Sequence, residues 1–380
     1  MTSRPRVLIL GSGYAGQGHA LAFREAGSEV VGMASRTETV VHRVAAELNI
    51  PVASTDWRAA LQQLRPDIVA VATPGGAHVE MISAAVGAGC HVFADKPLAV
   101  NAADAESLYR LAAGAGVKTA YAASYRYQPQ AYLARRIIDS GRVGPVLEVE
   151  CVSHYNWPRN CPFGWPHRLD QGGGRLNNNF THKLAIVLHV ASGVVLWATG
   201  ETRNDLRRAP IGPRLHDFRQ FTQSELSPEE LSTADWAEVD SDWSYTVLCR
   251  IGASDDGPES GVSATFRHSC LQPSRTGDYV AVYGERGQIH IEGAYATGDV
   301  WLKEGRGEWT RLDLPQDILD ALPEISDNTL RNWTQLAREF LSDVRGEGCS
   351  GYPTFLEGWH FQGVIDAVRA RGAWTHPGFA

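Results

Sequence analysis

Along the first third of the chain, short unbroken apolar runs alternate with stretches of helical periodicity. Residues 7–10 (Val-Leu-Ile-Leu) carry no polar position and stop at a glycine, the pattern of a strand buried on both faces. A helix is predicted over 16–26, closed by Gly27. Further strands are predicted at 29–34, 67–72, 89–94 and 118–123, with helices at 39–48, 78–88 and 102–113. Alternation of this kind with short loops predicts an α/β fold built on a doubly wound parallel sheet.

Beyond Tyr125 the pattern changes to β-branched and aromatic strands at 146–153, 244–251, 261–268, 279–284 and 288–292. Helical segments intervene at 132–140, 179–191, 333–345 and 356–369, and 252–260 reads as a solvated hairpin loop. An open, mostly antiparallel sheet carrying helices on one face fits this half. The expected division is 1–124 and 125–380, and a length of 380 residues agrees with two domains.

Composition narrows the function classes. A net charge of −8 argues against a nucleic-acid partner. The six cysteines (Cys90, Cys151, Cys161, Cys249, Cys270, Cys349) lie far apart, with neither zinc-ligand spacing nor a dense disulfide framework, so reduced thiols and no metal are expected. No apolar stretch approaches the length of a membrane span and no signal-peptide pattern precedes the first strand, so a cytoplasmic protein without a membrane partner is expected.

Gly11-Ser-Gly13-Tyr14-Ala15-Gly16 is a G-x-G-x-x-G run placed between the first strand and its helix, the context in which the motif marks an N-terminal Rossmann dinucleotide-binding domain. The first glycine permits the turn, the second lets backbone approach a pyrophosphate, and the third lets helix and strand pack closely. An acidic residue that reads the ribose 2′-hydroxyl is expected about 20 residues later. This chain has Ser35-Arg36 there. A guanidinium pairs with a 2′-phosphate, so NADP(H) is expected in preference to NAD(H).

Three more segments join this fingerprint: Thr73-Pro74-Gly-Gly-Ala-His78, Asp95-Lys96-Pro97, and Gly172-Gly-Gly-Arg-Leu-Asn-Asn178-Asn-Phe-Thr-His182. Together with Tyr125-Arg126-Tyr127 and Trp165 they resemble the Gfo/Idh/MocA family of NAD(P)-dependent oxidoreductases along essentially the whole chain. The resemblance implies that Lys96 and His182 flank the reacting carbon beside the nicotinamide, with Asn178 near them. It also implies cofactor contacts from Ala72, Thr73, Pro74, His78, Asp95, Arg126 and Trp165, a cis peptide bond before Pro97 in many relatives, and a homodimer or homotetramer. The chemistry agrees: hydride transfer from an alcohol releases a proton that a histidine of ordinary pKa ~6.5 can take, while a lysine favours the developing alkoxide. Taken alone, a lysine at a strand end is ordinarily solvated and a lone histidine on a helix ordinarily packed. Two positions depart from the family pattern, where aspartates are common: Asn178 and Ala185.

Between the two halves the chain is rich in polar, aromatic and cationic groups, among them Tyr155, Asn156, Trp157, Arg159, Trp165, Arg168, Arg175 and Lys183. Aromatic faces beside hydrogen-bonding groups suit sugar rings, and the cations hint at an anionic substituent. The expected activity interconverts a hydroxyl and a carbonyl on a sugar, polyol or sugar acid. Tyr155, Asn156, Trp165, Arg168, Asn178, Lys96 and His182 are the candidate substrate contacts. Two rivals stay open: a glycoside-cleaving or eliminating enzyme that keeps its nicotinamide bound, and a catalytically silent NAD(P)-binding protein.

Overall fold

The computed structural model describes residues 4–272, 277–348 and 351–379, so Cys349 lies outside the described residues. The first sheet contains β1 (Arg6–Leu10), β2 (Glu29–Ala34), β3 (Ala53–Ser54), β4 (Ile68–Val71), β5 (His91–Ala94) and β6 (Thr119–Tyr121). All its pairs are parallel, in the order β3-β2-β1-β4-β5-β6. Helices α1 (Tyr14–Glu25), α2 (Glu38–Glu47), α3 (Trp57–Leu64), α4 (His78–Gly87) and α5 (Ala102–Ala115) connect the strands. Val7, Leu8 and Ile9 are fully buried, which explains why β1 reads as an unbroken apolar run. The order in which strands are added reverses between β1 and β4, and ligands of such sheets bind in the crevice at that switch point.

The pair β3 and α3 was not expected from the pattern. β3 has two residues, too few to show periodicity, and α3 is announced only by Asp56, whose carboxylate accepts from Arg58 N and Ala59 N at 3.0 Å each.

The second sheet has nine strands. These are β7 (Val146–His154), β8 (Val194–Arg203), β11 (Ser244–Gly252), β12 (Val262–Ser269), β13 (Tyr279–Gly284), β14 (Gly287–Glu292), β15 (Val300–Glu304), β16 (Thr310–Leu312) and β17 (Ala373–Thr375). They run in the order β16-β15-β14-β13-β7-β12-β11-β8-β17, and only β7 and β12 pair in parallel. Strand β8 was hidden because it follows α7 (Thr181–Ala191) after a single turn, at Ser192 (φ 55) and Gly193. Its apolar start therefore continues the helical run. Helix α6 (Pro129–Asp139) lies beside α7. Between β8 and β11 the chain makes a long excursion carrying a ribbon of β9 (Arg208–Pro210) and β10 (Trp236–Glu238) with the short helices α8 (Phe218–Phe221) and α9 (Pro228–Thr233).

After α10 (Gln316–Asp320), helix α11 (Asn328–Val344) returns to the first sheet and packs on α1, whereas the pattern had placed it with the second. A Cβ on Gly18 would lie 1.9 Å from the Trp333 ring, so this glycine is the seat of that tryptophan. Helix α12 (Phe355–Arg369) packs on both α5 and β8. Its amphipathic start is fixed by Thr354 and Glu357, which cap each other's backbone. The two sheets thus share one apolar core that reaches from Leu8 and Val71 to Phe266 and Ile289.

Candidate active site

A cavity of about 690 Å³ opens between the two sheets, with Gly11 to Ala15 at one end and Lys96, Asn178 and His182 at the other. The glycine end is built by contact. Gly11 has φ +119, and a Cβ there would sit 2.6 Å from Ala72 O. A Cβ on Gly16 would lie 2.0 Å from Gly11 O, so the turn closes only with glycine at both positions. Gly13 caps α1 without a side chain, and the first turn holds no acidic residue. Its backbone N–H groups and partial positive charge are therefore left for an anion, and the cradle fits a pyrophosphate.

Ser35 and Arg36 line the same end, at the tip of β2. Sequence reasoning missed their companion. Residues 211–222 of the excursion swing over α1 and bring Arg214, His216, Phe218 and Arg219 to the cavity wall. Arg219 donates to Gln17 Oε1 at 3.3 Å and lies over the Tyr14 ring, while a Cβ on Gly13 would stand 3.2 Å from His216 O. Burial, followed by the neighbouring Arg214 charge, pulls the Arg36 guanidinium below its ordinary pKa. Only its arginines marked this irregular loop in the sequence, and nothing there told which element it would cover.

At the inner end, Asp95 Oδ1 accepts from Lys96 N at 2.8 Å and turns the chain so that Lys96 Nζ enters the cavity; the Lys96–Pro97 bond is cis. Nζ donates to Asn178 Oδ1 at 3.2 Å. The Asn178 amide donates in turn to Gly174 O (2.9 Å) and Gly172 O (3.3 Å). Asn178 thus positions the lysine rather than the histidine ring. Residues Leu176–Phe180 form a π-turn that runs directly into α7, so Asn178 and His182 sit on either side of a change in helix type. His182 instead packs its ring 4.3 Å from Tyr125 and 5.8 Å from Tyr295, and its Nδ1 is buried without a partner among the described residues. Burial, then the charges of Lys96 and Arg175, hold its pKa well below the ordinary 6.5. The ring is therefore neutral at neutral pH, not poised near its ordinary value as the sequence suggested. Burial also lowers Lys96, with Asp95 opposing and Arg175 adding to the effect.

Tyr155, Asn156, Trp157, Trp165, Tyr295 and Arg175 complete the wall. Arg175 is 6% exposed and lies over the rings of Tyr155 (5.2 Å) and Trp157 (5.6 Å). Among the described residues, the cavity lining holds five basic side chains, Arg36, Lys96, Arg175, Arg214 and Arg219, against the one carboxylate of Asp95. Arg219 is paired with Asp217 at 2.6 Å, which leaves four basic side chains against Asp95 in the lining although the whole chain is acidic.

Of the residues singled out from the sequence, Gly11, Gly13, Tyr14, Ala15, Ser35, Arg36, Ala72, Thr73, Pro74, Asp95, Lys96, Tyr155, Asn156, Trp165, Asn178 and His182 line this one cavity. Gly16 lies just behind it, against Gly11. Three others are elsewhere. His78 is fully buried, with its ring nitrogens 2.8 Å from Thr73 O and 3.2 Å from Leu98 O, so it holds the loop behind the cavity. Arg126 reaches away to Gly351 O at 3.3 Å. Arg168 faces solvent and pairs with Asp170 two residues on. Arg159 is exposed too, and Lys183 is buried behind the wall, bonded to Ser153 Oγ, so Arg175 alone of the four flagged cations enters the cavity.

Comparison with known proteins agrees with this architecture. Residues 5–123 match the profile described as "Oxidoreductase family, NAD-binding Rossmann fold", and residues 132–290 match the "GFO/IDH/MocA C-terminal domain". Levoglucosan dehydrogenase of Pseudarthrobacter phenanthrenivorans is 26% identical over 189 residues, covering 46% of this chain and 48% of the relative. Inositol 2-dehydrogenase of Pseudomonas savastanoi pv. phaseolicola is 31% identical over 183 residues, 47% of this chain and 52% of the relative. The matched part of the chain thus spans about half the length of these relatives. Among solved structures, an NAD binding oxidoreductase from Klebsiella pneumoniae has a TM-score of 0.78 at 23% identity, covering 98% of this chain and 99% of its own. Levoglucosan dehydrogenase in complex with NADH and levoglucosan has a TM-score of 0.80 at 18% identity, covering 99% and 100%. Two profiles in chain order, the Rossmann sheet and the second sheet beside it together establish that this chain belongs to the GFO/IDH/MocA oxidoreductase family.

Proposed function

We propose that this protein is an NADP(H)-dependent oxidoreductase that interconverts a hydroxyl and a carbonyl on a sugar-like substrate. One observation carries the reading: a glycine cradle and a lysine–histidine pair stand at the two ends of a single cavity. Gly11, Gly13 and the first turn of α1 would hold the pyrophosphate, and Arg36 with Arg214 the 2′-phosphate. When bound, the nicotinamide supplies the hydride acceptor or donor.

In the oxidative direction the substrate carbon gives up hydride while its hydroxyl proton passes to a base. His182, held neutral, is in the form that accepts it. Lys96 Nζ, steadied by Asn178, donates to the same oxygen and stabilises the charge that develops there. Tyr125, Tyr155, Trp157 and Tyr295 supply aromatic surface to this cavity, which suits the C–H side of a sugar. Two of the relatives named above are a levoglucosan dehydrogenase and an inositol 2-dehydrogenase, which supports the substrate class. The reading extends to a homo-oligomer formed across the open face of the second sheet, where Leu147 and Leu248 are exposed. A cytoplasmic location remains part of it. The test is to incubate the protein with NADP⁺ or NAD⁺ and a panel of polyols, aldoses and uronic acids, following absorbance of the reduced nicotinamide. Turnover with at least one member, faster with NADP⁺, is expected; inactivity across the panel in both directions would count against the reading.

A further inference from the structure

Arg175 is a buried cation without a carboxylate. Its backbone N donates to Asp242 O, but the Asp242 side chain is engaged by Arg369 at 2.8 Å and by Leu176 N at 2.7 Å. The guanidinium makes one hydrogen bond within the protein among the described residues, from Nε to His268 Nε2 at 3.2 Å. His268 is itself fixed, its Nδ1 standing 2.7 Å from Ser153 Oγ, which Lys183 Nζ also approaches. This chain of contacts holds the back of the guanidinium, while the rings of Tyr155 and Trp157 lie beside its carbon. The two terminal nitrogens have no partner among the described residues, and Arg175 lines the cavity. The Trp157 indole N–H, on the same wall, is buried and has no partner among the described residues.

The terminal N–H groups face the cavity with their donors unused by the described residues, and a planar fork of N–H donors matches a carboxylate in a bidentate manner. Lys96 adds a second positive charge in the same chamber, and no carboxylate other than Asp95 lines it among the described residues. We infer that the substrate is a sugar acid whose carboxylate is bound by Arg175, within the same cavity in which Lys96 and His182 meet the reacting hydroxyl. This inference rests on the oxidoreductase reading and adds to it the charge of the substrate.

The experiment measures binding to the protein loaded with a reduced dinucleotide, followed by fluorescence of the bound nicotinamide. D-glucuronate, D-galacturonate and D-gluconate are each compared with the neutral parents D-glucose, D-galactose and D-glucitol, with D-glucose 6-phosphate as a separate arm. At least one acid should bind about tenfold or more tightly than its parent, as charge-assisted hydrogen bonds do. Arg175→Met, which keeps the stem, should bring that ratio to about one, and Arg175→Lys should keep part of it. If Arg175→Met does not fold, the ratio in the parent protein and its decline with added salt decide the matter. Ratios near one for every pair, or a preference that survives in folded Arg175→Met, would overturn the inference. Tighter binding of the phosphate than of every acid would overturn the assignment to a carboxylate. Failure to bind either reduced dinucleotide would overturn the oxidoreductase reading itself, and the inference with it.

Discussion

The two ends of the cleft are made of different material. The cradle at Gly11–Gly16 is backbone, shaped by what is missing: a Cβ at Gly11 or Gly16 would run into main-chain carbonyl oxygens. The chamber around Lys96 is side chain, assembled from β5, the segment after β7, the π-turn before α7 and the loop after β14. A backbone site leaves a dense, ordered signature because each glycine answers one steric demand within six residues. A side-chain site scatters its members along the chain, and any one of them looks ordinary where it stands.

The sharpest way to break this contrast is to remove side chains from one end and nothing from the other. Lys96→Met and His182→Ala should each lower turnover by about 10²–10⁴-fold, as loss of a general acid–base group does, while dinucleotide binding persists. The combined variant should be little worse than the worse single one, because groups acting on one proton are not additive. Single-turnover hydride transfer measures this, and near-parental rates in both variants would place the chemistry elsewhere. The pH profile follows from the lowered His182 pKa. A neutral base is lost only on protonation, so oxidation should stay on its plateau through pH 6.5 and fall well below it. His182→Ala should remove that acid limb.

The converse change strikes the backbone end. Gly13→Val would place a branched side chain against His216 O, already 3.2 Å from where a Cβ would stand, and into the space of the pyrophosphate. Binding of NADPH and NADH should fail together, with the circular dichroism of the parent retained. Normal affinity for either dinucleotide would contradict the cradle.

A finer cut separates the two dinucleotides. Arg36→Ala and Arg214→Ala should each cost roughly 1–3 kcal/mol toward NADPH and little toward NADH, since only the former carries the phosphate. Titration of both variants checks this; equal NADPH and NADH affinity in the parent would remove the role of both arginines. The smallest effect is expected from Asn178→Asp, which puts a carboxylate against Lys96 Nζ rather than against His182. It should raise the Lys96 pKa and move the alkaline limb of the profile upward with a several-fold change in rate. Movement of the acid limb instead would mean that position 178 acts on the histidine.

What the sequence disclosed follows the same division. Apart from the two-residue β3, the strands of the first sheet were plain because they are largely buried, and Lys96, Asn178 and His182 were reachable because each sits in a spaced motif. The partner that Asn178 chooses was not legible, since its spacing from His182 does not say whether its amide meets the imidazole or Lys96 Nζ, which comes from 82 residues earlier in the chain. Arg168 and Arg126 looked like site residues by their neighbours in sequence, yet long side chains turned toward Asp170 and Gly351 O. Arg214 could not be found at all: a loop with no period gives no direction in which to fold it.

The seat of Trp333 on Gly18 has a consequence for how the protein is made. Helix α1 is synthesised well before α11, so the face that receives Trp333 and Phe340 waits until the intervening chain has emerged. Closing contacts across so much chain is slow, and until then Phe23 and Phe93 stand beside an uncovered apolar groove. A fragment ending at residue 124 would keep the glycine cradle and lose the lid of its core, so it should aggregate more readily than the whole chain.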